Sequence, residues 1–206
     1  MDGSNGFEFV AIDVETANPK RGSICSVGLT VVENGAVTGS RSWLCRPPAP
    51  LVYFERRQVA IHGIDERRVA DAPSFGAVLG DVRAAIGDRP VVAHNAAFDL
   101  GALRAACEAD DTDPPTLGFG CTRVWTKREL DLADYRLPTV AGTLGVPLLR
   151  HHDAAEDARA CAEVLLTLAA KRGSRTVHEF ARATGTTLGR LGPGTWDGCR
   201  VVPGRG

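Results

Sequence analysis

The chain has 206 residues, 44% of them hydrophobic, which suits one domain with a continuous core. Its 24 basic and 25 acidic residues exclude a global cationic field that could hold a polyanion by charge alone. Met1–Gly6 lacks a basic-then-apolar leader, and no apolar run approaches the roughly 20 residues that span a bilayer. A cytoplasmic protein with no membrane contact is expected. The cysteines at 25, 45, 107, 121, 161 and 199 form no C-x-x-C pair, so reduced thiols are expected.

In chain order, Phe7–Val14 is a β-prone run, and Ile24–Glu33 is joined by an Asn34-Gly35 turn to Ala36–Cys45. These predict an antiparallel three-stranded start. An irregular Pro-rich stretch follows. Pro73–Ile86 then places Phe75, Val78, Leu79, Val82 and Ile86 on one helical face, ahead of the short apolar strand Val91–Ala93. Helices are expected over Ala96–Glu108, Thr122–Leu130, Leu137–Leu144 and Ala154–Lys171, with a short strand at Leu117–Cys121. The order predicts an α/β fold with a mixed sheet flanked by helices. Residues 1–6 are expected to be disordered, 7–184 to form the domain with its motifs in 7–172, and the Gly- and Pro-rich 185–206 to be a flexible tail.

Asp13 and Glu15 end the first strand, where residues two apart share a face, so their carboxylates converge. Such a pair repels unless a cation neutralises it, although acidic strand ends are also common without one. A second clue is a pattern that occurs twice: His94-Asn95-Ala96-Ala97-Phe98-Asp99 and His152-Asp153-Ala154-Ala155-Glu156-Asp157. Asn95 and Asp153 are good N-caps, and Glu156 completes a capping box. Asp99 and Asp157 then fall in first helical turns, either as helix-stabilising charges or as groups presented to one site. Four carboxylates with a histidine suit hard divalent cations, Mg²⁺ or Mn²⁺, more than zinc. A pair of such ions roughly 4 Å apart stabilises attacking and leaving oxygens in phosphodiester hydrolysis. A histidine with pKa near 6.5 can take the proton of the attacking water.

Asp13-Val14-Glu15-Thr16 and the two hexapeptides resemble, in order and spacing, the three motifs of the DEDDh exonuclease family, which includes the proofreading epsilon subunit of bacterial DNA polymerase III. The resemblance covers roughly residues 7–172, with His62-Gly63-Ile64 and Tyr135-Arg136-Leu137 between the motifs. It implies a ribonuclease-H-like fold on a five-stranded mixed sheet and 3′ to 5′ hydrolysis that releases nucleoside 5′-monophosphates. By the same resemblance, Asp13, Glu15, Asp99 and Asp157 hold two divalent cations and His152 is the general base. Spacing alone does not separate His152 from His94; the family pattern places His94 in the substrate cleft and leaves His151 a solvated neighbour. Val14 and Thr16 would pack on or hydrogen-bond the terminal nucleotide, Asn95 and Phe98 would line the cleft, Phe98 being equally readable as core, and His62 is either a nucleotide contact or a turn residue. Trp43, Trp125 and Tyr135 read as buried anchors.

The expected partner is the 3′ end of a single strand, DNA favoured over RNA, with the enzyme working beside a polymerase or alone in repair. Gln58 is the chain's sole glutamine, so residues beyond 172 carry no Gln-led clamp-docking peptide. RNA trimming by the same chemistry is the alternative, since sugar selection lies in cleft details. A catalytically silent nucleic-acid-binding module is the reading from another class.

Overall fold

A computed structural model describes residues 6–203 of the chain. In chain order the elements are β1 (Phe9–Thr16), β2 (Ile24–Glu33), β3 (Ala36–Leu44), α1 (Arg56–His62), α2 (Phe75–Ile86), β4 (Val91–Ala93), α3 (Ala96–Ala109), β5 (Leu117–Cys121), α4 (Thr122–Glu129), α5 (Leu137–Leu144), α6 (Ala154–Arg172), α7 (Val177–Ala183), β6 (Thr186–Thr187), β7 (Gly189–Gly192), β8 (Thr195–Asp197) and β9 (Arg200–Val201). The main sheet runs β3-β2-β1-β4-β5-β7-β8. Its first five strands are the expected ones, antiparallel across β3-β2-β1 and parallel across β1-β4-β5.

Strand alternation divides the core. Val10, Ile12 and Val14 of β1 face the cluster built with α2 and α3, where Phe75, Leu100 and Leu103 are buried. Phe9 and Ala11 face the other layer, packed against Leu165, Leu168 and Phe180 of α6 and α7. Asp13 and Glu15 continue the parity of Phe9 and Ala11, so both lie on the α6 side of the sheet. The alanines at 154, 158, 160, 162 and 169 are buried on α6, and small side chains let this helix lie close to the sheet.

Several expectations are corrected. Residues 186–201 are not a flexible tail: β7 pairs antiparallel with β5 and β8 folds back on β7, extending the sheet from five to seven strands. Trp196 packs on Phe119 with ring centroids 5.5 Å apart, and Trp125 Nε1 donates to Thr186 Oγ1 at 2.9 Å. The domain therefore extends past residue 184. Gly189 serves close approach, since a Cβ there would fall 2.3 Å from the Phe119 ring. The Pro-rich stretch contains a helix, α1, which has no buried residue and hence no apolar stripe to reveal it. Of the expected N-terminal disorder, residues 1–5 lie outside the described residues. No helix among the described residues is long and apolar enough to cross a membrane, and the six cysteines are free.

Candidate active site

Because β1, β4 and β5 are parallel, the segments that leave them gather at one edge of the sheet, where open α/β sheets bind ligands. There β1 delivers Asp13–Thr16, β4 leads to His94 and Asn95, and β5 leads to Thr122 and Arg123. α3 and α6 both start at this edge, with Asp99 and Asp157 in their first turns. A cavity of about 450 Å³ opens among these residues.

Ligand oxygens of Asp13, Glu15 and Asp157 lie within 4.8 Å of one another. Asp99, 2% exposed, accepts a hydrogen bond from the Val14 N–H at 3.3 Å, which ties α3 to β1. Asp157 accepts from the His152 N–H at 3.0 Å. The His151 Nδ1–H reaches the same carboxylate at 2.9 and 3.1 Å. His151 is therefore a direct partner of Asp157, where a solvated neighbour was expected. Its ring stacks on His152 with centroids 3.8 Å apart. His152 has a φ of 71°, a left-handed conformation uncommon outside glycine.

The two helix starts differ in their caps. Asp153 behaves as expected, its carboxylate accepting from the Ala155 and Glu156 N–H groups at 3.2 and 3.4 Å. Glu156 does not close a capping box, because it pairs with Arg159 and the Asp153 N–H goes to the Arg150 carbonyl. Asn95 makes no side-chain cap at all; its backbone is left-handed, with φ 76°, and its Oδ1 accepts from Arg123 Nη1 at 3.2 Å.

Burial and like charge raise these acids together. Burial, then the carboxylates of Asp99, Glu15 and Asp157, pushes Asp13 well above the usual range. Burial and the Asp157 carboxylate bring Glu15 to about 8. Burial also brings Asp99 to about 8, against the lowering effect of the Val14 N–H. Among the described residues no lysine or arginine pairs with any of the four, and His151 on Asp157 is the one basic side chain in contact. An all-oxygen donor set, buried, convergent and short of positive charge, fits a hard divalent cation.

The remaining site residues all line the cavity, but not in equivalent states. His94 has both ring nitrogens engaged: Nε2 donates to the Tyr135 carbonyl at 2.9 Å, and Nδ1 accepts from Thr122 Oγ1 at 2.8 Å. Burial brings its pKa to about 4. His62 is held the same way, with Nε2 donating to the Thr16 carbonyl at 3.2 Å and Nδ1 accepting from the Ile64 N–H at 3.0 Å. Phe98 is exposed at the rim, while Val14 and Thr16 are buried in the wall. Trp125 is a fully buried anchor, whereas Trp43 and Tyr135 are half-buried, Tyr135 on the cavity wall. Sequence reasoning missed Arg21, Gln58 and Arg123, which also line it. For Arg123 the usable signal was its place just after the expected strand Leu117–Cys121.

Fold and site together define a nuclease of the ribonuclease-H-like class with a carboxylate centre. Residues 10–165 match the RNase_T family model, described as Exonuclease, and the chain belongs to this exonuclease family, with the DEDDh arrangement of acidic residues. A Mycobacterium tuberculosis (strain CDC 1551 / Oshkosh) protein carrying the name bifunctional exonuclease/endonuclease is 33% identical over 184 residues, covering 84% of this chain and 28% of that protein. The DNA polymerase III PolC-type of Caldanaerobacter subterraneus is 29% identical over 178 residues, covering 84% of this chain and 12% of that one. The chain thus spans about a quarter or less of these relatives. Among solved structures, exonuclease X in complex with 5′ overhanging duplex DNA superposes with a TM-score of 0.68 at 25% identity, covering 85% of this chain and 99% of that one.

Proposed function

We propose that this exonuclease removes nucleotides from the 3′ end of single-stranded DNA in the 3′ to 5′ direction, releasing nucleoside 5′-monophosphates. The observation that carries the reading is the convergence of Asp13, Glu15 and Asp157 within 4.8 Å, with Asp99 tied to the same strand through Val14. In this reading the four acids hold two divalent cations, Mg²⁺ or Mn²⁺, which supply Lewis-acid stabilisation of the attacking and leaving oxygens. Pairwise repulsion among buried carboxylates is the reserve of affinity for those cations, since binding relieves it.

His152 takes the proton of the attacking water. Against its competitor His94 speaks the engagement of both ring nitrogens: one keeps its proton to satisfy the Tyr135 carbonyl, and the other accepts from the Thr122 hydroxyl. Burial and the neighbouring His151 hold the His152 pKa below 6.5, so the ring is neutral and able to accept a proton at neutral pH. His151 acts on Asp157, holding its carboxylate by a hydrogen bond.

DNA is favoured because the PolC-type relatives are DNA polymerases by name and the 25% identical structure is a DNA complex. The test is a set of single-stranded DNA and RNA oligomers of matched sequence, incubated with Mg²⁺, Mn²⁺ or chelator. The proposal expects stepwise shortening with either metal and a higher kcat/KM on DNA; faster turnover of RNA would transfer the assignment to RNA trimming.

A further inference from the structure

Among the described residues, two buried side-chain polar atoms lack a hydrogen-bond partner, Gln58 Oε1 and Arg123 Nε. They sit on different helices, α1 and α4, yet both residues line the catalytic cavity. Buried donors and acceptors are almost always satisfied, and one left open in a native fold points to a ligand that completes it. For Arg123 an anion would complete the site. A guanidinium stays charged at every relevant pH, and its planar fork matches phosphate oxygens.

The guanidinium is also oriented. Asn95 is twisted into a left-handed backbone conformation and spends its side chain on Arg123 Nη1, at 3.2 Å, instead of capping α3. No ion pair to Asp13, Glu15, Asp99 or Asp157 consumes the charge. A positive group thus lines an acidic centre with its Nε–H unpaired.

We infer that Arg123 binds a phosphodiester of the nucleic-acid strand in the cavity, and that Asn95 is the residue that positions it. This inference rests on the nuclease reading. Asn95 lines the cavity as expected, and its Oδ1 serves the arginine. With Arg21 and Arg136, which line the same cavity, Arg123 adds to the local positive charge that a chain of net charge −1 needs where phosphates must approach carboxylates.

The test uses the full chain, a fluorescein-labelled oligothymidylate in chelator for anisotropy, and the same oligomer with Mg²⁺ for kinetics. Arg123→Gln is expected to weaken binding and raise KM on the order of 10-fold, with kcat changed far less. The slope of log affinity against log salt should flatten by about 0.7, the loss of one single-strand phosphate contact. Arg123→Lys, which keeps the charge and removes the Nε–H, should restore the salt slope and only part of the affinity. Asn95→Ala should weaken binding less than Arg123→Gln. Wild-type affinity, KM and salt slope in a folded Arg123→Gln protein would overturn the assignment, as would full recovery of affinity in Arg123→Lys. If Arg123→Gln does not fold, the lysine variant decides the question alone. A wild-type protein that neither binds nor shortens the oligomer overturns the nuclease reading itself, a result distinct from normal turnover with an indifferent Arg123.

Discussion

The Ala154 carbonyl at the start of α6 sits directly against Gly28 of β2, so closely that a Cβ on Gly28 would fall 2.0 Å from that oxygen. Gly28 is the cross-strand partner of Asp13. The absent side chain is therefore what lets α6 descend onto the sheet and bring Asp157 beside Asp13. Gly28→Ala should push the helix start outward. Overpacking of this kind costs about 1–3 kcal/mol, and a displacement of roughly 1 Å at a catalytic group can cost on the order of 10²-fold in rate. Thermal melts and kcat/KM of Gly28→Ala check this; wild-type turnover would show that the contact does not set the Asp157 position.

The two motif histidines should separate cleanly. His152→Ala is expected to lower kcat on the order of 10²-fold and to remove the acidic limb of the pH–rate profile, which lies below pH 6.5 because the His152 pKa is lowered. His94→Ala should keep that limb and lose stability instead, about 1–3 kcal/mol, because it strands the Tyr135 carbonyl and the Thr122 hydroxyl. An equal rate loss from His94→Ala, with His152→Ala near wild type, would reverse the roles.

Cleavage of the chain after Gly185 should be costly. It strips β7 from β5 and uncovers Phe119 and Trp125, each 1% exposed. Exposing two side chains of this size costs about 3–6 kcal/mol, or roughly 10 °C or more in Tm for a domain of this length. Differential scanning fluorimetry of the shortened chain measures it; an unchanged Tm would mean that the terminal hairpin is not integral to the fold.

Without divalent cations the protein should become less stable as the solution turns alkaline. Glu15 and Asp99 move from 4.5 and 3.8 to about 8 on folding. An acid raised in this way takes up a proton when the chain folds. Its contribution is fully present below the unfolded value and is lost as pH rises through the folded one. Tm in chelator should therefore fall between pH 5 and pH 9, and the stabilisation by added Mg²⁺ or Mn²⁺ should grow across the same window. A flat profile in chelator would contradict the electrostatics of the cluster.

What was legible in the sequence followed from local rules. Strand alternation put Asp13 and Glu15 on one face, and the caps and helix starts brought Asp99 and Asp157 to first turns. Non-local relationships stayed hidden. Arg123 becomes a cavity residue only once β5 is known to lie parallel beside β4. The glycines at 189 and 192 look like a flexible tail until Phe119 and Thr116 are seen to occupy the space above them. Asn95 has the composition of an N-cap but a φ of 76°, and its side chain goes to a partner 28 residues away.

The central claim is metal-dependent removal of nucleotides from a 3′ end. It is tested most directly by following a 5′-labelled single-stranded DNA oligomer on a sequencing gel with Mg²⁺ or with chelator, for the wild type and for Asp13→Asn. The predicted result is a ladder shortening one nucleotide at a time from the 3′ end with Mg²⁺, release of nucleoside 5′-monophosphates, and no shortening in chelator or with Asp13→Asn. Internal cleavage, shortening from the 5′ end, or equal activity in chelator would contradict it.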